Sequence, residues 1–288
     1  MSYKTILIPV DGTETSQSAL EMAFSVAQTT SAHLDVLHVR SDPKDVVPLL
    51  GEGMSGAMIE EMFDLAEKEA VARAARARDS FEDLCGRYNI PIANVPSPGA
   101  EVTACWIEET GREDEITIRR GRLCDLIVMA RHTKETDAAS ALTLNAALFE
   151  TSRPVLVAPP ASKPTFNGNL AIAWNGSAEA AHAVSSAMPF ISKAELVTVL
   201  TAESDQTSLA IAPDLATYLA WHGVHAELRS FPAGAAQIGA ALLKGCADVG
   251  ASMLVMGAYT HSRMRQLILG GVTRHVLAEA TIPVLMTH

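Results

Sequence analysis

The chain of 288 residues has few cysteines, only 5% aromatic residues and no long apolar run. Its four cysteines form no Cys-x-x-Cys pair, so we expect buried free thiols rather than a disulfide framework or a zinc site. No apolar run approaches the ~20 residues that span a bilayer, and residues 1–10 lack a signal-peptide pattern. We therefore expect a soluble, cytoplasmic protein with no membrane partner.

Positive charge is also scarce, with 22 Lys and Arg against 33 Asp and Glu, which gives a net charge of −11. This balance argues against a nucleic-acid partner. The deficit is uneven: residues 1–160 carry 15 basic against 25 acidic side chains, and residues 161–288 carry 7 against 8. An anionic ligand would therefore meet less repulsion in the second half.

The apolar residues, 48% of the chain, are arranged as strands that alternate with helices. In the first half the pattern predicts strands at 5–10, 33–39, 124–129 and 154–158, and a long helix over 59–88. In the second half it predicts strands at 169–174, 195–200, 251–256 and 283–286. Continuous apolar strands separated by helices are typical of a parallel sheet covered on both faces.

The same order of elements occurs twice, which indicates a tandem duplication. We predict two domains, 1–160 and 168–288, joined by a segment rich in Pro, Ser and Gly. The fold class is α/β, with two tandem doubly wound parallel sheets. We also predict that the last strands of the two halves pair antiparallel about a pseudo-two-fold axis, because that pairing covers two exposed edges.

Ligands of such sheets bind beyond the carboxyl ends of the strands. In the second half Gly270 and Gly271 would open a helix whose free amides and positive dipole end favour a phosphate, with the Thr273 hydroxyl nearby. A simple tight turn before the helix is an equally good interpretation, because short glycine motifs are weak signals.

Other polar clusters give no catalytic or metal-binding pattern. His222-x-x-His225 lacks further ligands and is typical of an ordinary surface. Glu108-Glu109 and the acidic run 113–115, beside several arginines, predict a solvated helix with local charge pairs. No Ser or Cys nucleophile is spaced with a base, so we expect no enzyme.

Four segments together resemble the universal stress protein family over essentially the whole chain. They are ILIPVDGT at 6–13, LVMG at 254–257, LILGGVT at 267–273 and PVLM at 283–286. The resemblance implies an adenine nucleotide alpha hydrolase-like fold of five strands in each half, and a role in the stress response. The family's nucleotide-binding branch wraps ATP phosphates with Gly-x2-Gly-x9-Gly-Ser/Thr and holds the nucleoside with an Asp after the first strand.

The second half meets that motif in part. Gly257 and Gly270 match, whereas Thr260 replaces the middle glycine, Gly271 the Ser or Thr, and Asn175 the Asp. The resemblance implies a C-terminal site for an adenine nucleotide, expected to be ATP with or without Mg²⁺, with a regulatory rather than catalytic role. The residues implied at this site are Ala173, Asn175, Thr201, Met256, Gly257, Thr260, Gly270, Gly271, Val272 and Thr273.

The first half keeps Asp11 but has Ala130, Ala141 and Leu142 opposite Gly257, Gly270 and Gly271. We therefore expect a degenerate copy that binds no nucleotide. The alternative for the whole chain is a protein-interaction module in which both sites are degenerate. Protein partners and a further homodimer stay open.

Overall fold

The computed structural model of the chain describes residues 2–41, 56–96, 102–131, 138–160, 166–203, 206–232, 234, 237–258 and 271–288. The glycine-rich segment 51–55 and the linker residues 161–165 lie outside these ranges. Within them, no helix is long and apolar enough to cross a membrane.

Each half contributes five strands and four helices to the described structure. The first half comprises β1 Thr5–Pro9, α1 Glu14–Thr30, β2 His33–Arg40, α2 Gly56–Tyr88, β3 Thr103–Thr110, α3 Glu113–Gly121, β4 Leu126–Ala130, α4 Ala138–Glu150 and β5 Val155–Ala158. The second half comprises β6 Asn169–Ala173, α5 Ala178–Ile191, β7 Leu196–Ala202, α6 Gln206–Trp221, β8 Ala226–Phe231, α7 Ile238–Asp248, β9 Ala251–Gly257, α8 Gly271–Glu279 and β10 Val284–Thr287. The repeated α/β order, the eight predicted strands and the long helix are confirmed.

The charged cluster near residue 110 is built differently from the prediction. Glu108 and Glu109 lie on strand β3 rather than on a helix, and α3 begins only at Glu113. The predicted local charge pairs are present, because the guanidinium groups of Arg119 and Arg120 both bind the Glu109 carboxylate. The helix prediction for Glu108-Glu109 was therefore wrong.

All ten strands form one sheet in the order β3-β2-β1-β4-β5-β10-β9-β6-β7-β8. The order of the second half mirrors that of the first across the β5–β10 junction. Among the strands that the structure describes, only this central pair is antiparallel, with Leu156 opposite Leu285 and Val157 opposite Val284. The predicted pairing of the last strands is confirmed, and it removes two edges that would otherwise expose unpaired backbone groups.

Helices cover both faces of the sheet, as the continuous apolar strands predicted. Residues of α1, α2, α5 and α6 pack in the core on one face, and residues of α3, α4, α7 and α8 pack on the other. The helices that follow β1 and β4 lie on opposite faces, and so do those that follow β6 and β9. Each half therefore has a crevice between two neighbouring strands, at the carboxyl end where the connections diverge.

Aromatic side chains join the two halves beside the linker. Phe190 on α5 is fully buried between the ring of Tyr3 from the first half, at 5.6 Å, and the ring of Phe166, at 5.2 Å. The Tyr3 hydroxyl donates a hydrogen bond to the carbonyl oxygen of Ser186 on α5. We call Tyr3, Phe166 and Phe190 the inter-repeat aromatic cluster.

Burial raises the pKa of Tyr3 well above its ordinary value of about 10, and the negative charge of Asp125 adds to the shift. The folded chain keeps this proton above pH ~10, where the unfolded chain loses it, so alkali favours unfolding. We expect the free energy of unfolding to fall by about 1.4 kcal/mol more per pH unit above pH ~10 in the wild type than in Tyr3→Phe. Urea titrations of both proteins from pH 8 to 11 measure the difference. Parallel pH profiles would contradict a buried, protonated Tyr3.

Candidate functional site

The predicted site residues that the structure describes meet at the crevice of the second half. Ala173 and Met256 are paired across β6 and β9, and Gly257 follows at the end of β9. The others lie at the end of β7, in the loop after β6 and in the first turn of α8: Thr201, Asn175, Gly271, Val272 and Thr273. Thr260 and Gly270 lie outside the described residues.

In the first half, the loop after β1 forms a tight turn that leads into α1. The Asp11 carboxylate accepts hydrogen bonds from the backbone N–H of Thr13, at 3.0 Å, and from its hydroxyl, at 2.7 Å. Gly12 has a φ of +77°, a backbone angle that residues with a side chain rarely adopt. The Thr13 hydroxyl then caps α1 by accepting from the N–H of Ser16.

The corresponding loop after β6 has the same construction with an amide in place of the carboxylate. The Asn175 side-chain oxygen accepts from the N–H of Ser177 at 3.2 Å, and Gly176 has a φ of +70°. Ser177 caps α5 by accepting from the N–H of Ala180 at 3.1 Å. Replacing Asp by Asn thus keeps the turn and removes a negative charge from the crevice.

The two crevices differ in the residue that follows Leu37 or Leu200. The carbonyl oxygen of Leu37 accepts from the N–H of Val10, and that of Leu200 accepts from the N–H of Trp174, so the two sites superimpose in register. The next residue is His38 in the first half and Thr201 in the second.

His38 takes the place of Thr201 in the first half. Its buried imidazole lies 2.7 Å from the carbonyl oxygen of Val10 and stacks on Trp106 at 5.9 Å. Sequence reasoning missed His38, since only the strand register shows that it occupies the position of Thr201.

The Thr201 hydroxyl is a buried polar group at the second crevice. The residue is 2% exposed, and its hydroxyl has no hydrogen-bond partner among the described residues. The same is true of the indole N–H of Trp174, the residue that follows β6. Buried polar groups without partners are costly and rare, and they are a common sign of a missing ligand or water.

The start of α8 offers backbone amides at the same crevice. Gly271 is exposed, and a Cβ at this position would meet no atom within 4 Å. Thr273, two residues on, is buried. In the first half the corresponding position holds Leu142, which is 57% exposed, so a large side chain stands where the second half has none.

The four cysteines lie away from this crevice and are buried free thiols, as predicted. Burial raises the pKa of the Cys85 thiol to about 11 and that of Cys124 and Cys246 to about 12. For Cys105, burial and a hydrogen bond to Asp35 raise the pKa to about 12. Thiols held protonated at neutral pH are poor nucleophiles, so none of them is a catalytic candidate.

The duplicated, doubly wound sheet with a crevice in each half defines a tandem α/β protein of the adenine nucleotide alpha hydrolase-like fold. A model described as the universal stress protein family matches residues 2–158 and again residues 169–288. The chain therefore belongs to the universal stress protein family, with two copies of the family's domain in tandem.

Solved structures of tandem length share this fold. A universal stress protein from Archaeoglobus fulgidus DSM 4304 aligns with a TM-score of 0.68 and 16% identity, over 98% of this chain and 97% of the other. A putative universal stress protein from Pseudomonas aeruginosa UCBPP-PA14 aligns with a TM-score of 0.59 and 16% identity, over 99% and 93%. At such identities the likeness concerns the fold alone. No curated protein matches the chain.

Proposed function

We propose that the protein is a stress-response regulator whose C-terminal half binds an adenine nucleotide, with ATP as the expected ligand. The observation that carries the proposal is the buried Thr201 hydroxyl, which has no hydrogen-bond partner among the described residues. A nucleoside in this crevice would supply the missing hydrogen bond. In the first half the corresponding residue, His38, already has the Val10 carbonyl oxygen as a partner, so no hydroxyl is left there for a ligand to satisfy.

The remaining site residues fit an anionic ligand. Asn175 provides the turn of Asp11 without its negative charge, and the exposed start of α8 presents backbone N–H groups at the positive end of the helix dipole. The second half is also close to neutral, with 7 basic against 8 acidic residues from 161 to 288. Residues 271–273 and the segment before them would hold the phosphates.

We propose binding rather than turnover. None of the described site residues has an ionisable side chain, so none of them can act as a general base that activates water or another nucleophile. A cytoplasmic regulator that responds to ATP through its conformation or its protein partners fits this chemistry. A protein-interaction module with two degenerate sites is the alternative that the following experiment tests.

Isothermal titration of the purified chain with ATP, with and without Mg²⁺, measures the binding. Thr201→Val keeps the side-chain shape and removes the unsatisfied hydroxyl, so we expect the two measured properties to change in opposite directions. Stability without ligand should rise by about 1 kcal/mol, and ATP affinity should fall about tenfold.

Thr198→Val is the matched control, because Thr198 is on the same strand, is equally buried and also has a hydroxyl without a partner among the described residues. It lies on the opposite face of the sheet, so its removal should stabilise the fold and leave ATP affinity unchanged. No heat from the wild type, together with no nucleotide released on denaturation, would favour the interaction module. Equal loss of affinity in both variants would contradict the role of Thr201.

A further inference from the structure

Three side chains of metal-ligand type meet at the opposite end of the sheet from the crevices. His33 and Asp35 alternate on β2, and Cys105 lies directly opposite Asp35 on the edge strand β3. One ligand atom from each lies within 4.8 Å of the other two. Because two of the residues lie on β2 and the third lies on β3, 70 residues after Asp35, no local sequence motif contains all three.

The distances between their ligand atoms are close to those of a tetrahedral site. His33 Nε2 lies 3.4 Å from Asp35 Oδ1, and Cys105 Sγ lies 3.1 Å from the same oxygen. In tetrahedral zinc sites, metal–ligand bonds of about 2.1 Å to N or O and about 2.3 Å to S separate neighbouring ligands by about 3.4–3.6 Å. An outward movement of Cys105 Sγ by a few tenths of an ångström would bring its distance from Asp35 Oδ1 to this value, and the third pair of ligand atoms lies within 4.8 Å.

The second ring nitrogen of His33 already has the kind of partner that metal-binding histidines use. Its Nδ1 lies 2.7 Å from the hydroxyl oxygen of Thr103, the residue opposite it on β3. An Nδ1–H that donates to Thr103 leaves the lone pair of Nε2 directed towards Asp35 and Cys105. Such outer partners fix the tautomer and the orientation of a metal-binding imidazole.

Access and charge also suit a divalent cation. The side chains of His33 and Asp35 are 27% and 32% exposed, whereas Cys105 is buried. A cation could therefore reach the cluster from solvent on the side of His33 and Asp35. A carboxylate and a thiolate together neutralise two positive charges. The nearby Arg120 is engaged with Glu109, with its Nε 2.5 Å from the carboxylate.

The second half provides an internal comparison. Strand register places Leu196, Thr198 and Glu227 at the positions of His33, Asp35 and Cys105. The duplicated fold therefore forms the same two strands without a histidine or a cysteine there. The cluster is a property of the first half rather than a requirement of the sheet.

We propose that His33, Asp35 and Cys105 form a Zn²⁺ site, with a fourth position open to water. The mixed nitrogen, oxygen and sulfur set suits Zn²⁺, whereas Mg²⁺ and Ca²⁺ prefer oxygen ligands alone. On binding, the Cys105 thiol gives its proton to solvent and binds as the thiolate. The site lies at the amino end of an edge strand, so the bound metal would tie β3 to β2.

The test uses the full chain, stripped of metal by a chelator under a non-thiol reductant and then titrated with Zn²⁺ or Co²⁺. We expect one equivalent of tight Zn²⁺ binding, and for Co²⁺ a thiolate charge-transfer band with the visible bands of tetrahedral geometry. Cys105→Ser should remove the charge-transfer band. Since loss of an outer partner alone costs about 10–100-fold in affinity, Cys105→Ser and His33→Gln should each weaken Zn²⁺ binding about a hundredfold or more.

Cys246→Ala is the control, because this thiol is equally buried and belongs to the other half; it should bind Zn²⁺ like the wild type. His33 is partly exposed, so His33→Gln tests the site even where Cys105→Ser weakens the fold, and circular dichroism verifies each variant. Absence of stoichiometric binding would overturn the proposal. So would binding that survives both ligand substitutions and disappears in His222→Gln, which would place the metal at the surface pair His222 and His225.

Discussion

Phe190→Ala should lower the free energy of unfolding of the whole chain by about 3–5 kcal/mol, the usual cost of truncating a fully buried phenylalanine. The Phe190 ring contacts Tyr3 of one half and Phe166 beside the linker, so its loss opens a cavity between the repeats. Urea unfolding followed by circular dichroism and by intrinsic fluorescence measures the change.

Phe149→Ala is the matched control for this experiment. Phe149 also joins the two halves, since its ring lies 4.7 Å from that of His288, but it is 42% exposed. Truncation there removes little apolar area from a buried environment, so we expect a loss below about 1 kcal/mol. A similar, small loss for both variants would show that the inter-repeat aromatic cluster contributes little.

The same measurement asks whether the duplication produced two folding units or one. The cores on both faces of the sheet run across the β5–β10 junction, with Phe166, Phe190 and Leu285 in the same core as Ile6 and Leu20 of the first half. We therefore expect a single transition by both probes in the wild type. Because Phe190 lies at the junction, Phe190→Ala should lower the midpoint of that single transition rather than of one half alone.

The sequence predicted the centre of the sheet better than its edges. Strands such as β4, with the sequence LIVMA, are buried on both faces and read as apolar runs. The edge strands β3 and β8, with sequences TACWIEET and AELRSF, were missed because one face is partly solvated and their composition is mixed. The same cause produced the wrong helix prediction at Glu108 and Glu109, since acidic residues are rare in buried strands but acceptable at an edge.

Parts of the candidate site have local sequence signals, because loops after strands are recognisable from sequence. The Asn175 turn and the start of α8 are local features with local signals. The contrast between His38 and Thr201 needs the pairing of β1 with β2 and of β6 with β7, which no local pattern encodes. The cluster of His33, Asp35 and Cys105 was overlooked for the same reason, as it forms across strands.

Gly257 shows how structure changes the meaning of a motif residue. The family motif assigns this glycine to a close approach of backbone and phosphate. In the structure a Cβ here would lie 2.6 Å from the N of Ala180 and 2.7 Å from the carbonyl carbon of Glu179, in the first turn of α5. The hydroxyl of Thr287 donates to the Glu179 carbonyl at 2.8 Å and holds that turn against the strands.

The first half has alanines at the positions of both Gly257 and Thr287, namely Ala130 and Ala158. It therefore fits a Cβ at the end of β4 and lacks the hydroxyl that draws the helix inward. A close approach of the helix, rather than a bound phosphate, is sufficient to explain the glycine at 257. The proposed nucleotide site consequently depends on Thr201 and the start of α8 more than on this glycine.

Gly257→Ala should for this reason lower the free energy of unfolding by about 1–3 kcal/mol or more, even with no ligand present. The new Cβ would clash with backbone atoms of α5, which cannot move away by a change of rotamer. Gly271→Ala is the control: its Cβ would meet nothing within 4 Å, and alanine favours a helix by up to about 1 kcal/mol. Urea midpoints of the two variants, measured in nucleotide-free buffer, should move in opposite directions or leave Gly271→Ala unchanged. If Gly257→Ala were as stable as the wild type, helix packing would not explain this glycine. The close approach to a phosphate that the motif assigns to it would then be the better explanation.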